Sequence, residues 1–345
     1  MLRAPEMPSG TEAFMTILPV EIADFSVALS ACPAITVPNI IRTVYSLYLP
    51  ETRTAVEELW RAYPHLLYEQ AYNGGQERLP GLFLETWRNA SPVMLGDEFP
   101  HAYATSGASE ALKDLILPGM RLNMFDGDYE GFRHIAEARG IPVRVHSRLH
   151  AVVLTIPQQD NDVWFITSPS SIDGEDVDIR TFLGALLTVN PRVRVLLDVT
   201  FVGAVRESRD VDLRGFPNVA AVVFSLSKPF GAYYHRVGGV FSRKPIGSLV
   251  GNKWFANPFS LALGTMLIRR HGLTGELPRK YAALQDEMVA RGIASGALPA
   301  SARPSNVFLF AIAPDGPPEF RRTDGAYRFC LTPGMYRELY PDRLT

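Results

Sequence analysis

The sequence predicts an α/β protein: a mostly parallel sheet flanked by helices, with a smaller α+β domain built from the N- and C-terminal segments. Three observations lead there. Through the middle of the chain, short β-rich runs alternate with segments of helical spacing, the pattern of parallel strands joined by crossover helices. After Ala300, "ARPSNVFLFAIAP" and "AYRFCLTP" read instead as two strands of a separate, smaller unit. The chain has 345 residues, 47% of them hydrophobic and 20% charged, which suits one large or two unequal domains around a substantial core. The expected division is residues 46–275 for the large domain and 1–45 plus 276–345 for the small one.

In chain order, a turn of small residues, Thr105 to Ser109, runs into a helix expected over Ser109–Leu117, and a second helix is expected over Tyr129–Arg139. Val143–His146, Val152–Ile156 and Asp162–Ile166 are strand candidates, rich in β-branched and aromatic residues. The acidic "DGEDVD" precedes a helix at Arg180–Leu187, and Val193–Val199 and Ala220–Ser225 are two further apolar strands. Pro258–His271 reads as a buried helix and Arg279–Arg291 as a more exposed one. No internal repeat or low-complexity tract interrupts the pattern.

Composition excludes several classes of function. A net charge of −2 gives no electrostatic reason to expect nucleic acid or an anionic membrane as partner, so a small molecule is the expected ligand. No apolar run approaches the ~20 residues of a spanning helix, and "MLRAPEMPSGTEAF" lacks the apolar core of a signal peptide. A cytoplasmic location is expected. Cys32 and Cys330 lie far apart and match no metal-ligand spacing.

Only five of the 34 basic residues are lysine, so the lysine in "SLSKPFGAYYHRVG" draws notice. It follows an apolar strand directly, as Asp198 does in "RVRVLLDVTFVG". If those strands are parallel neighbours, Lys228 and Asp198 share one rim, where open α/β sheets place their chemistry. Asp198 taken alone is equally a turn-capping residue. An amine buried near other cations has a depressed pKa and becomes a nucleophile able to form a Schiff base. The turn before Ser109 directs free N–H groups and a helix dipole at one point, which makes it an anion site or a plain serine cap with Glu110 in the first turn. Arg236 adds a guanidinium fork and Ser225 a hydroxyl. Pyridoxal phosphate requires such parts together: an amine for its aldehyde, a carboxylate for its ring nitrogen and a cup for its phosphate.

These residues also carry a resemblance. "SLSKPFGAYYHRVG" resembles the lysine motif of the fold type I pyridoxal-phosphate enzymes, nearest to the aspartate-aminotransferase superfamily. The similarity continues in order through "TSGASEAL", "NMFDGDYEGF", "SPSSIDG", "LLDVTFVGA", "FANPFSLALG" and "YRFCLTP". It implies that Lys228 holds pyridoxal 5'-phosphate as an internal aldimine and later moves the α-proton, and that Asp198 pairs with the ring nitrogen. It implies further that Ser106, Gly107, Ala108, Ser225 and Arg236 form the phosphate cup and that Tyr129 stacks on the ring. Arg328 matches the arginine that grips the substrate α-carboxylate; its alternative is a strand-edge surface arginine. Tyr72 resembles a tyrosine that reaches the phosphate of a neighbouring subunit, which implies a homodimer with shared sites, or it is an ordinary interface aromatic.

Three departures bear on the reaction. Ser171 stands where the family usually has an asparagine and Phe201 where it usually has a tyrosine, the two groups that bond the cofactor's phenolic oxygen. Asn252 stands where dicarboxylate enzymes carry a cross-subunit arginine, which disfavours a dicarboxylic substrate. The expected activity is therefore an aminotransferase acting on a non-dicarboxylic α-amino acid. The alternative keeps the cofactor and performs elimination, replacement, cyclisation or oxidation of an amino acid in specialised metabolism.

Overall fold

Every residue of "DVWFIT" (Asp162–Thr167) is buried, so both faces of that strand must be covered by other elements. The computed structural model, which describes residues 39–62, 76–148, 158–175 and 178–341, meets this demand with a seven-stranded sheet. Its strands are β1 His101–Thr105, β2 Arg121–Phe125, β3 Val143–His146, β4 Asp162–Thr167, β5 Arg194–Asp198, β6 Val219–Ser225 and β7 Gly238–Ser242. They lie in the order β1-β7-β6-β5-β4-β2-β3, and all run parallel except β7, which pairs antiparallel with both neighbours.

Alternation along the strands splits the core in two. Trp164, Ile166, Val222 and Phe224 face one cluster, packed against Phe83 and Trp87 of α2 (Gln76–Ala90), Phe182 and Leu186 of α5 (Ile179–Val189), and α7 (Pro258–His271). Val163, Phe165, Ala221 and Val223 face the other, under Leu112 of α3 (Ala108–Leu115) and Phe132 of α4 (Glu130–Ala138). Two more helices, α1 (Pro50–Ala62) and α6 (Asn252–Phe255), precede α2 and α7 respectively.

The bounds of α7 match the expected ones, and local chemistry explains why. Asn257 accepts from the Phe259 and Ser260 amides, Pro258 occupies the first turn, and Arg269, Arg270 and His271 fill the last. Such a cap contributes about 1 kcal/mol. Burying Leu261, Leu263, Leu267 and Ile268 contributes about 1.5–3 kcal/mol each, so packing decides that the helix forms and the cap decides where it starts.

After α7 the chain forms α8 (Glu276–Lys280), α9 (Ala282–Ala294), a four-stranded antiparallel sheet and α10 (Thr332–Leu339). The sheet has the order β8 (Arg303–Pro304), β9 (Phe310–Ala313), β11 (Ala326–Cys330), β10 (Arg321–Thr323), and Ile41 bridges to Cys330 at its side.

Several expectations need correction. The continuous helix expected over Arg279–Arg291 is broken at Tyr281, which leaves helical geometry to pack on Phe308 and donate its hydroxyl to Glu51 at 2.7 Å. "ARPSNVFLFAIAP" is two strands rather than one, because Ser305–Leu309 turns back under the Gln285 amide, which donates to the Ser305, Val307 and Phe310 carbonyls. Strands β1, β2 and β7 were not expected; "GGVFS" in β7 hides its pattern behind two glycines. The candidate Val152–Ile156 lies outside the described residues.

Candidate active site

The sheet order brings the candidate residues to one edge. Past the carboxyl ends of β1, β6, β5, β4 and β2 come, respectively, Ser106 and Gly107, Lys228, Asp198, Ser171, and Asp128 with Tyr129. Because β7 is antiparallel, its amino end lies at the same edge, with Arg236 just before it; Thr105, Gly238 and Ser225 stand abreast.

Lys228 lies three residues past β6, and its Nζ donates to the Val44 carbonyl at 2.7 Å. The residue is partly accessible, but its amine end is packed in protein, and that burial pulls its pKa down to about 8. Arg328 pushes the same way, while Cys330 and Asp198 oppose it. The amine also stands 6.0 Å from the centre of the Phe201 ring, which is buried and meets Phe310 edge-on. Asp198 ends β5, is buried, and accepts from the Thr200 amide at 2.9 Å. Burial raises its pKa to about 6 against the pull of the Thr200 hydrogen bonds and Lys228.

Ser106, Gly107 and Arg236 converge separately. Arg236 holds a left-handed backbone, φ 48°, and donates to the Ser106 carbonyl at 2.7 Å. Gly107 has φ 80°, a conformation that favours glycine, and a Cβ there would also stand 3.1 Å from the Arg236 guanidinium and push it aside. The Gly107 cap of α3 receives no side-chain hydrogen bond, although the Ser106 amide is taken by Glu110. Ser225 shares a 2.9 Å hydrogen bond with Ser227, and Ala108 is buried at the start of α3. His235 packs between Tyr48 and Phe259, as a structural neighbour of the cup.

Arg328, on β11, is buried rather than a surface residue. One end of its guanidinium donates to the Ser171 carbonyl, its Nε has no partner among the described residues, and burial, then Arg322, lowers its pKa to about 9. Such an orphaned, buried donor beside Lys228 is suited to a carboxylate ligand. Tyr129 is 47% exposed and lies edge-on to Phe132 at 4.9 Å, with its ring over Gly131. Asn252 reaches the cup only through Glu110, which also accepts from the Ser106 amide, and makes no described contact with Lys228, Asp198 or Arg328. It bonds the Ala104 carbonyl and Glu110 and lines a cleft of about 470 Å³ with Glu77, Arg88 and Lys253. Tyr72 and Cys32 lie outside the described residues.

One residue escaped sequence reasoning. Asp128 is buried and accepts from Ser171 Oγ at 3.1 Å, and burial raises its pKa to about 7. The signal was the same one that marked Asp198, an acid just past the end of an apolar strand, but "NMFDGDYEGF" holds three acids and sequence does not say which is buried.

A pH dependence follows. Both acids hold their protons in the folded chain to higher pH than the ~4 of an unfolded carboxylate, so between about pH 4 and 7 the folded state binds more protons and stability falls as pH rises, by about 1.4 kcal/mol per unit for each proton difference. The urea midpoint of the cofactor-free protein should therefore decline with pH over this range less steeply in Asp128→Asn than in wild type; identical slopes would contradict the assignment.

The parts fit pyridoxal phosphate: a buried amine of lowered pKa, a buried carboxylate beside it and an anion cup at a helix start. Comparison with known proteins agrees. The family model described as aminotransferase class I and II matches residues 104–272. A mutant aspartate aminotransferase from Thermus thermophilus superposes with a TM-score of 0.64 at 13% identity, over 91% of this chain and 100% of that one. An aminotransferase from Staphylococcus aureus gives 0.61 at 12%, covering 90% and 96%, and a methionine aminotransferase from Escherichia coli 0.56 at 12%, covering 89% and 99%. No curated protein matches the sequence.

Proposed function

We propose that this chain is a pyridoxal-phosphate-dependent, aminotransferase-like enzyme of fold type I that transaminates an α-amino acid without an acidic side chain, a reading supported by the family match and the shared fold. The observation that carries this reading is the buried Lys228 amine, which donates to the Val44 carbonyl and is near enough to Asp198 and Arg328 to be influenced by both charges. When bound, pyridoxal phosphate supplies an aldehyde for that amine and an electron sink for the substrate α-carbon. Lys228 would be the amine that joins the group, since its pKa of about 8 leaves part of it neutral near neutrality, and the same amine would move a proton at the substrate α-carbon. Asp198, whose charged form the Thr200 amide favours, would hold the ring-nitrogen proton. Ser106, Gly107, Ser225 and Arg236 would hold the phosphate, and Tyr129 would cover the ring.

Arg328 aligns the substrate by a two-pronged grip on its carboxylate. Arg328→Lys keeps charge but loses the fork, and is expected to raise KM about 10²-fold with a smaller change in kcat. Steady-state kinetics that leave KM unchanged would remove Arg328 from this role.

A second reading, elimination, replacement, cyclisation or oxidation, is favoured by one observation: Phe201 presents a bare ring to Lys228 and the Ser171 hydroxyl is turned to Asp128. Identifying the cofactor extracted after a single turnover with a panel of amino acids separates the two. Pyridoxamine phosphate supports transamination, and unchanged pyridoxal phosphate with altered amino acid supports the second reading.

A homodimer with shared sites and a cytoplasmic location belong to this proposal. Tyr234 and Phe255, 83% and 84% exposed, are large aromatics suited to burial against a second copy. Among the described residues no helix is long and apolar enough to cross a membrane.

A further inference from the structure

The Lys228 amine touches a segment that has no part in the scheme above. Residues 39–49, which lead into α1, form no helix and no strand beyond the single bridge of Ile41 to Cys330. Separate hydrogen bonds tie them to β11 and α10 instead. Ile41 and Cys330 exchange both backbone bonds, at 3.2 and 2.8 Å, the Asn39 carbonyl accepts from the Gly334 amide at 3.1 Å, and the Tyr48 carbonyl accepts from the Tyr340 hydroxyl at 3.1 Å. Between these ties the segment passes the amine, where the Val44 carbonyl accepts from Nζ at 2.7 Å.

Thr332 fixes the very next carbonyl. Its buried hydroxyl donates to the Tyr45 carbonyl at 3.0 Å and accepts from the Cys330 thiol at 3.3 Å. A threonine hydroxyl at a helix start commonly serves the helix's own amides, yet the start of α10 has no side-chain cap and this hydroxyl is turned to the segment. Peptide units are planar, so with the Tyr45 carbonyl fixed only the two dihedrals of Tyr45 are left to swing the Val44 carbonyl away. The other groups that face the amine act differently: Arg328 and Cys330 of β11 and Asp198 of β5 act through charge, and Phe201 presents its ring at 6.0 Å.

We propose that Thr332 is a positioning residue of the reaction, which acts through Tyr45 to hold the Val44 carbonyl against the Lys228 amine and so sets the direction of the free amine's lone pair. The role in the reaction rests on the proposed function, which needs Lys228 as a free amine; the contact does not. No bond is made or broken at Thr332. An amine that gives one N–H to a fixed carbonyl keeps its lone pair within a narrow range of directions, and an amine released from it samples many that are unproductive.

The first test needs no cofactor: competitive acetylation of the cofactor-free protein across pH, with the peptide that spans residue 228 quantified by mass spectrometry. Freeing the Val44 carbonyl removes an acceptor that favours the charged form of a buried amine, so in Thr332→Val the Lys228 midpoint should fall by about half a pH unit. Thr332→Ser keeps the hydroxyl and should stay at the wild-type value. In the cofactor-loaded protein, Thr332→Val should lower kcat about 10-fold with KM for the amino acid nearly unchanged, because Arg328 is untouched, and Thr332→Ser should recover most of the loss. Should Thr332→Val fail to fold, Thr332→Ala removes the same hydroxyl with a smaller side chain and carries both measurements. A midpoint and a kcat that stay at the wild-type values, or losses as large in Thr332→Ser, overturn this inference alone. A wild-type protein in which borohydride fixes no cofactor on Lys228 overturns the cofactor reading and the role in the reaction together, whatever the acetylation midpoint.

Discussion

Lys228→Ala, loaded with pyridoxal phosphate and treated with borohydride, is expected to yield no tagged peptide and to turn over at least about 10³-fold more slowly than wild type. The size of the effect comes from two tasks performed by one amine. Under the proposed function it would carry the covalent bond and also move the α-proton. The same substitution should be mild for folding. The amine makes one hydrogen bond, to the Val44 carbonyl, and burial disfavours its charged form. Removing a strained charge offsets the loss of that bond, so the thermal midpoint of the cofactor-free protein should change little. Retention of a borohydride-stable tag at another lysine would disprove the assignment, and Lys113, Lys244, Lys253 and Lys280 are the alternatives to exclude.

Asp198→Asn is the second large effect. The amide still accepts from the Thr200 amide, so geometry is kept while the negative charge is lost. Without that charge the ring-nitrogen proton is no longer held and the electron sink weakens; a fall in kcat of about 10²–10³-fold is expected, with KM nearly unchanged. Stability should move the other way. Because burial lifts the Asp198 pKa to about 6, the folded chain is penalised by its ionisation at pH 8, and the neutral amide relieves that penalty. A cofactor-free Asp198→Asn that is as stable as wild type or more so at pH 8, and yet inactive, is the expected pair of results. Equal losses of activity and stability would mean that Asp198 is a structural acid.

The sequence was most legible where local chemistry is decisive. Helix α7 is bounded by Asn257, Pro258 and a basic last turn, and each of these signals acts within one turn of the residue that carries it. The apolar runs of β4, β5 and β6 need no partner to be recognised, because a strand covered on both faces has to be apolar throughout. Lys228 and Asp198 were visible for the same reason, as charged residues at or just past the ends of such runs.

What the sequence by itself determined is therefore the alternating α/β pattern and the residues able to do amine and carboxylate chemistry, since these depend on side-chain type and near-neighbour spacing. What only the tertiary structure decided is which of them meet. The burial of Asp128 against Ser171, the Val44 carbonyl on Lys228 and the placement of Arg328 over Ser171 join residues 43, 184 and 157 positions apart. Whether an acid is solvated or buried, and so whether its pKa is ordinary or raised, depends on strand order and on which distant segments pack against it, and neither is encoded in the spacing of the residues themselves.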